Sequence, residues 1–263
     1  MGAMTYPSAR VAEALELAHG HLSASEISRR TGIPRSTVRD WLGGRTPRAG
    51  RPPRAGRADG CPTCRGDRHD LLSLSQYSYL LGLYLGDGCI SSHPRAVYKL
   101  RVYLDAKYPG IVAECVAAIH SVLPEIKVCQ RRRDGHHRPG AGGDIEVYAY
   151  SKAWPCLFPQ HGRGKKHLRS IELMAWQERI IENAPGSLLR GLIHSDGCRS
   201  MNVGRGGWRC PRYSFSNYSR DIQAIFCAAC DRLGLRWTTA PNIVYVSRKA
   251  DVARMDEFVG PKR

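Results

Sequence analysis

Two aspartates occupy matching places in a duplicated ten-residue stretch, and their chemistry frames this chain. Leu80-Leu81-Gly82-Leu83-Tyr84-Leu85-Gly86-Asp87-Gly88-Cys89 returns as Leu189-Arg190-Gly191-Leu192-Ile193-His194-Ser195-Asp196-Gly197-Cys198, with Leu, Gly, Leu, Asp, Gly and Cys identical in register. The copies stand 109 residues apart, from position 87 to position 196, which is the size of a small α/β half-domain and marks an internal duplication. In each copy small residues four apart, Gly82 with Gly86 and Gly191 with Ser195, clear one stripe of a helix so that two backbones can approach. Gly88 and Gly197 are expected to supply the left-handed residue that ends each helix. Asp87 and Asp196 then fall in the last turn, where the helix macrodipole is already negative. If the two helices pack together, like charges meet, and such a pair either raises a pKa or requires a cation. Mg²⁺, with its preference for carboxylate and water oxygens, is the simplest candidate, and Mn²⁺ can replace it.

A second cluster suggests another metal. Cys61-Pro-Thr-Cys64 with His69 offers three ligands for a structural Zn²⁺ that would stiffen the joint between two parts of the chain. The fourth ligand stays open among Asp67, Asp70, Cys227 and Cys230, although the last two fall three apart on an apolar helix and read as core.

The elements that position these residues follow from hydrophobic period and punctuation. Tyr98 to Leu104 alternates, with Leu100, Val102 and Leu104 on one face and Lys99, Arg101 and Tyr103 on the other, as in a half-buried strand that presents cations. Lys127, Cys129, Arg131 and Arg133 alternate likewise, and Arg236 and Thr238 repeat the pattern later. Ile111 to Leu123 reads as a helix, and Ser216-Asn217-Tyr218-Ser219 starts another that runs to Leu235.

Residues 8 to 43 form a separate helical unit. Val11, Leu15 and Ala18 share a face, Ser23 to Glu26 starts a helix, Gly32 permits a tight turn, and Val38 with Trp41 seats a following helix. This spacing fits a helix-turn-helix whose Arg35, Ser36, Thr37 and Arg39 face outward on the recognition helix. Arginine then recurs at every third position, Arg45, Arg48, Arg51, Arg54 and Arg57, among Pro and Gly that forbid helix and strand. Such an extended linker suits a narrow minor groove, with Arg48, Arg51 and Arg54 as contacts.

Charge agrees with a polyanionic partner. Forty Lys and Arg against 23 Asp and Glu give +17 over 263 residues, with a pI near 9.8, so double-stranded DNA is expected through attraction and counterion release. No apolar run approaches the ~18 residues of a membrane span, so no membrane is expected. Neither size nor signal suits a small disulfide-built secreted protein, so the cytoplasm is the expected compartment.

The duplicated decamers resemble the LAGLIDADG motifs of homing endonucleases, in the single-chain form that carries two motifs. The resemblance extends over roughly residues 74 to 263 and places the family's acidic residues on Asp87 and Asp196. It implies an α+β fold of two pseudo-symmetric αββαββα halves forming a DNA-binding saddle, preceded by a small all-α helix-turn-helix domain. The expected boundaries are 1–44 for the helix-turn-helix, 45–73 for the linker and zinc knuckle, 74–174 for the first half and 175–263 for the second. It further implies metal held by both aspartates with the backbone of Gly86 and Ser195, and a basic residue near each site: Lys165 or Lys166 in the first half, Lys262 in the second. The activity implied is a staggered double-strand break in a long asymmetric site, made by a monomeric, bacterial or phage-encoded protein of the kind carried by mobile genetic elements. Two alternatives share this core: a transcriptional regulator that does not cut, and an RNA-binding maturase.

Overall fold

A computed structural model describes residues 8–44, 72–133 and 143–262. The chain divides into two compact units, one up to Asp59 and one from Gly60 onward.

In the first unit, α1 (Ser8–His19), α2 (Ala24–Thr31) and α3 (Arg35–Leu42) surround a small core of Ala14, Ile27, Ile33, Val38 and Trp41. The start of α2 is fixed by a capping box: the Glu26 N–H donates to Ser23 Oγ (3.4 Å) and the Ser23 N–H donates to Glu26 Oε2 (2.8 Å). The turn into α3 needs glycine, since Gly32 sits at φ +68°. Ser28 donates its hydroxyl to the Ile33 carbonyl (2.6 Å), which ties the turn back onto α2. Val11, Leu15 and Ala18 pack on this core as their spacing requires.

The second unit carries the αββαββα pattern twice. The first copy runs α4 (Leu74–Asp87), β1 (Gly88–His93), β2 (Val97–Asp105), α5 (Pro109–Val122), β3 (Val128–Arg133), β4 (Asp144–Ser151) and the short α6 (Trp154–Leu157). After α7 (Ala175–Asn183), the second copy runs α8 (Pro185–Asp196), β5 (Gly197–Val203), β6 (Arg209–Ser216), α9 (Arg220–Arg232), β7 (Thr238–Ala240), β8 (Ile243–Val246) and α10 (Lys249–Val259). Each copy builds one antiparallel four-stranded sheet with the same order, β1-β2-β4-β3 and β5-β6-β8-β7.

Alternation explains how each sheet meets its helices. Leu100, Val102 and Leu104 of β2 are buried while Arg101 and Tyr103 are partly exposed, as in a strand with one covered face. In the second copy Tyr213 and Phe215 of β6 and Val244 and Val246 of β8 do the same. α9 begins at Ser219, whose Oγ accepts from the Ile222 N–H (3.4 Å). One continuous apolar core joins both copies, from Leu80, Leu83 and Trp154 to Leu192, Phe215 and Phe226.

At its centre α4 crosses α8 at backbone contact. A Cβ added at Gly82 would lie 2.6 Å from the Leu188 carbonyl oxygen and 2.8 Å from the Leu192 nitrogen, and one at Gly191 would overlap the Tyr79 carbonyl. One turn later Gly86 faces the side chain of Ser195, which an added Cβ would overlap. Equivalent residues therefore meet across a pseudo-twofold axis, and both helices end at the same place.

Candidate active site and nucleic-acid interface

Asp87 and Asp196 are the last residues of α4 and α8, so the crossing brings two carboxylates to two negative helix ends. The Asp87 carboxyl is pushed up to about 7, first by burial and then by the charge of Asp196. Asp196 is also raised by burial, but a hydrogen bond from Asn217 Nδ2 to its Oδ2 (2.7 Å) opposes the shift.

Two lysines face this pair. Lys166 Nζ donates to the carbonyls of Tyr84, Leu85 and Gly86 at 2.5, 2.8 and 2.8 Å, satisfying acceptors left open at the end of α4. Burial lowers its pKa to about 8 against the pull of Asp196 and Asp87. Lys262 Nζ donates to the Gly197 carbonyl (2.6 Å), and burial lowers its pKa too, while Asp87 and Asp196 raise it. In the first half Lys166 lies close enough to both aspartates to feel their charge, whereas Lys165 is exposed.

The small residues next to the aspartates have defined roles. The Gly86 carbonyl accepts from Lys166, and Ser195 Oγ bonds back to the Gly191 and Leu192 carbonyls, both at 3.0 Å. Gly88 and Gly197 are not left-handed as expected from sequence: their φ values of −90° and −115° are extended, because a strand begins at once. Glycine is required there by close approach. A Cβ would come to 2.5 Å from Tyr84 Cα in one copy and 2.6 Å from Ile193 Cδ1 in the other.

The strand cations separate into two kinds. Lys99 does not stand free: at 9% exposure its Nζ lies 2.8 Å from Glu146 Oε1 and 3.8 Å above the Tyr148 ring. Arg131 Nη2 takes the other oxygen of the same buried carboxylate. Arg101 donates to Ser91 Oγ, and the Arg133 guanidinium lies 5.0 Å over the Tyr103 ring. In the second copy Arg236 and Thr238 are exposed, and Arg212, which sequence did not single out, lies 4.5 Å over Tyr245. Trp208 is 56% exposed in the turn between β5 and β6. In the first unit Arg35, Ser36 and Arg39 are exposed on α3, and Thr37 is half-buried.

Arg48, Arg51, Arg54, Cys61, Cys64 and His69 lie outside the described residues. Among the described residues no group of three or more His, Cys, Asp or Glu is arranged for a metal. Cys230 is buried and its thiol pushed up by burial, in keeping with a core role.

Asn217 was missed as a site residue. Its Oδ1 accepts from the Ser219 N–H (2.8 Å), a local turn that the sequence does suggest, while its amide reaches the partner carboxylate, which only the fold brings near. His194 was also passed over. It is buried between α8 and α10, with Tyr79 Oη 3.0 Å from Nδ1 and the Val259 carbonyl 3.1 Å from Nε2.

A helix-turn-helix unit ahead of a duplicated αββαββα core is the class of protein that this structure defines. Residues 9–43 match the family model of the IclR helix-turn-helix domain. No curated protein matches the chain. Among solved structures the chain is similar to the homing endonuclease I-DmoI in complex with DNA and Mn, at 15% identity and a TM-score of 0.47, covering 72% of this chain and 99% of that one. It is similar to the homing endonuclease I-WcaI bound to its DNA recognition sequence (15%, 0.45, 73% and 83%) and to the N-terminal LAGLIDADG domain of WhiA (15%, 0.42, 73% and 85%).

Proposed function

We propose that this protein is a site-specific DNA endonuclease that makes a metal-dependent, staggered double-strand break in a long asymmetric duplex site. The observation that carries this reading is the meeting of Asp87 and Asp196 at the ends of two helices in backbone contact, with one lysine facing them from each half.

The donor set fits a hard divalent cation. Two carboxylates, with Asp87 raised to about 7 first by burial and then by the charge of Asp196, favour any cation that lets both ionise. Asp87 and Asp196 would hold Mg²⁺ or Mn²⁺. When bound, the cation supplies Lewis-acid polarisation of the scissile phosphate and lowers the pKa of water. Lys166 and Lys262 place positive charge beside the phosphate oxygens, where charge builds in the transition state. Asn217 orients Asp196 through its amide. Each half contributes one carboxylate and one lysine, which suits one cut per strand. Arg101, Arg131, Arg133, Arg212, Arg236 and Thr238 are taken as contacts of the saddle with the duplex, and Arg35, Ser36, Thr37 and Arg39 as contacts of a separate recognition helix.

The test is cutting of a randomised duplex library by the purified full chain in Mg²⁺ or Mn²⁺. Wild type is expected to cut a selectable site, and Asp87→Asn or Asp196→Asn to abolish cutting while binding persists. A second reading is favoured by the match of residues 9–43 to the IclR helix-turn-helix domain: a transcriptional regulator that uses the core as a platform. Tight binding to a selected site with no nick in any divalent metal establishes that reading instead. Preference for structured RNA over duplex DNA would point to a maturase.

A further inference from the structure

We propose that His194 is a positioning residue that anchors the C-terminal strap carrying Lys262 beside the aspartates, and thereby controls the cut in one DNA strand and not the other. This rests on the nuclease reading above. The strap is short. α10 ends at Val259, Gly260 turns the chain at φ +68°, and two residues later Lys262 Nζ meets the Gly197 carbonyl.

What fixes the start of the strap is the histidine. The Val259 carbonyl is among the last acceptors of α10, which lack partners within the helix, and Val259 itself is fully buried. A carbonyl can only accept, so Nε2 of His194 carries the proton and donates to it. In the neutral ring Nδ1 must then accept, which makes Tyr79 Oη its donor. The ring is thus held from α4 on one side and grips α10 on the other, while its own backbone belongs to α8, two residues before Asp196. Removing the ring would leave a buried carbonyl without a donor at the hinge of the strap.

Among the described residues the first half has no such device. The position matching His194 is Leu85, an apolar core residue. Lys166 lies in the loop after α6, and its own three carbonyl contacts hold it on α4. Loss of His194 should therefore disturb Lys262 and leave Lys166 in place.

Two measurements test this. In the first, the selected duplex is end-labelled on each strand in turn and cut in Mg²⁺. His194→Leu is expected to slow the same strand as Lys262→Met, by about tenfold or more, with the other strand within about threefold. His194→Gln, which keeps a donor toward Val259 and an acceptor toward Tyr79, should restore both rates to within about threefold. In the second, backbone hydrogen exchange is followed on the full chain without DNA or metal. Exchange in residues 257–262 should rise about tenfold in His194→Leu, with residues 74–87 unchanged, and return toward wild type in His194→Gln. Equal slowing of both strands, or unchanged exchange at 257–262, overturns the proposal. If wild type cuts nothing, the nuclease reading fails and the exchange result alone decides the strap. If His194→Leu does not fold, Tyr79→Phe takes its place, with both effects expected in the same direction at about threefold and their absence overturning it.

Discussion

Replacing Gly82 by alanine adds one carbon where α4 touches α8, and its effect can be worked from the contact distances. The added carbon would meet Leu188 O at 2.6 Å, Leu192 N at 2.8 Å and Gly191 C at 2.9 Å, whereas ordinary contact begins at 3.4 Å. All three are backbone atoms, so no rotamer change relieves them and the helices must part by roughly 0.8 Å at this level. Overpacking of this kind costs ~3 kcal/mol at the upper end of its range, and alanine returns ~1 kcal/mol of helix propensity. A net loss of ~2 kcal/mol in a unit of this size lowers Tm by ~4–8 °C. The same parting displaces Asp87 relative to Asp196, and a shift near 1 Å in a reacting constellation reduces rate by ~100-fold. Gly186→Ala is the comparator. There the nearest atoms belong to the Phe258 ring at 3.3 Å, which can tilt, so Tm and rate should stay near wild type. Calorimetry of both variants and single-turnover cutting of the selected duplex provide the readouts. If Gly82→Ala melts and cuts like wild type, the close helix crossing does not set the carboxylate geometry and the reasoning fails.

Three further outcomes follow from other parts of the structure. Asp87 ionises near 3.8 when unfolded and near 7 when folded, so the folded state binds more protons between these values. Stability of the metal-free protein is therefore greatest below about pH 4 as far as this group is concerned, and falls as pH rises toward 7. Asp87→Asn should flatten that decline and raise Tm at pH 8, and Mg²⁺ should raise the Tm of wild type but not of Asp87→Asn/Asp196→Asn; a pH-independent difference between the proteins would contradict this. Glu146→Ala strands the buried Lys99 ammonium, and denaturant unfolding should show a loss of ~3 kcal/mol, whereas an effect under ~1 kcal/mol would mean that Lys99 simply turns to solvent. Arg35→Ala and Arg39→Ala should each weaken binding of the full chain to its selected site. The salt dependence should drop by about one counterion per variant if these arginines contact phosphate, and binding unchanged in both would remove the recognition helix from the interface.

The parts of the fold that local pattern dictates were legible in the sequence. The duplication located α4 and α8, alternation located β2 with its buried Leu100, Val102 and Leu104, and turn residues located the helix-turn-helix around Gly32. What pattern could not reach depends on register between distant strands. β2 and β3 both pair with β4, which carries Glu146 opposite Tyr103 on one side and Arg131 on the other. Lys99 meets Glu146 only along a diagonal of that sheet, so a lysine that alternates outward in sequence is drawn into an ion pair. Asp87-Gly88 misled in a related way. An Asp-Gly pair at a helix end suggests a left-handed stop, but the immediate start of β1 requires extended backbone, and the glycine serves to clear Tyr84.

Duplication in sequence is not equivalence in chemistry. Gly88 pairs with Val102 and Gly197 pairs with Phe215, so the residue equivalent to Asn217 in the first half is Leu104. Asparagine donates to Asp196; leucine has nothing to donate to Asp87. Burial raises both carboxylates, and among the described residues it is Asp196 that has a neutral side-chain donor, Asn217, to oppose the shift. The lysines differ as well: Lys166 is held by three carbonyls in an internal loop, while Lys262 depends on a strap fastened by His194, where the first half has Leu85. Under the proposed function, a twofold scaffold with unequal acids and unequally held lysines is expected to treat the two strands of a duplex differently. That is the behaviour expected of a centre built for an asymmetric site.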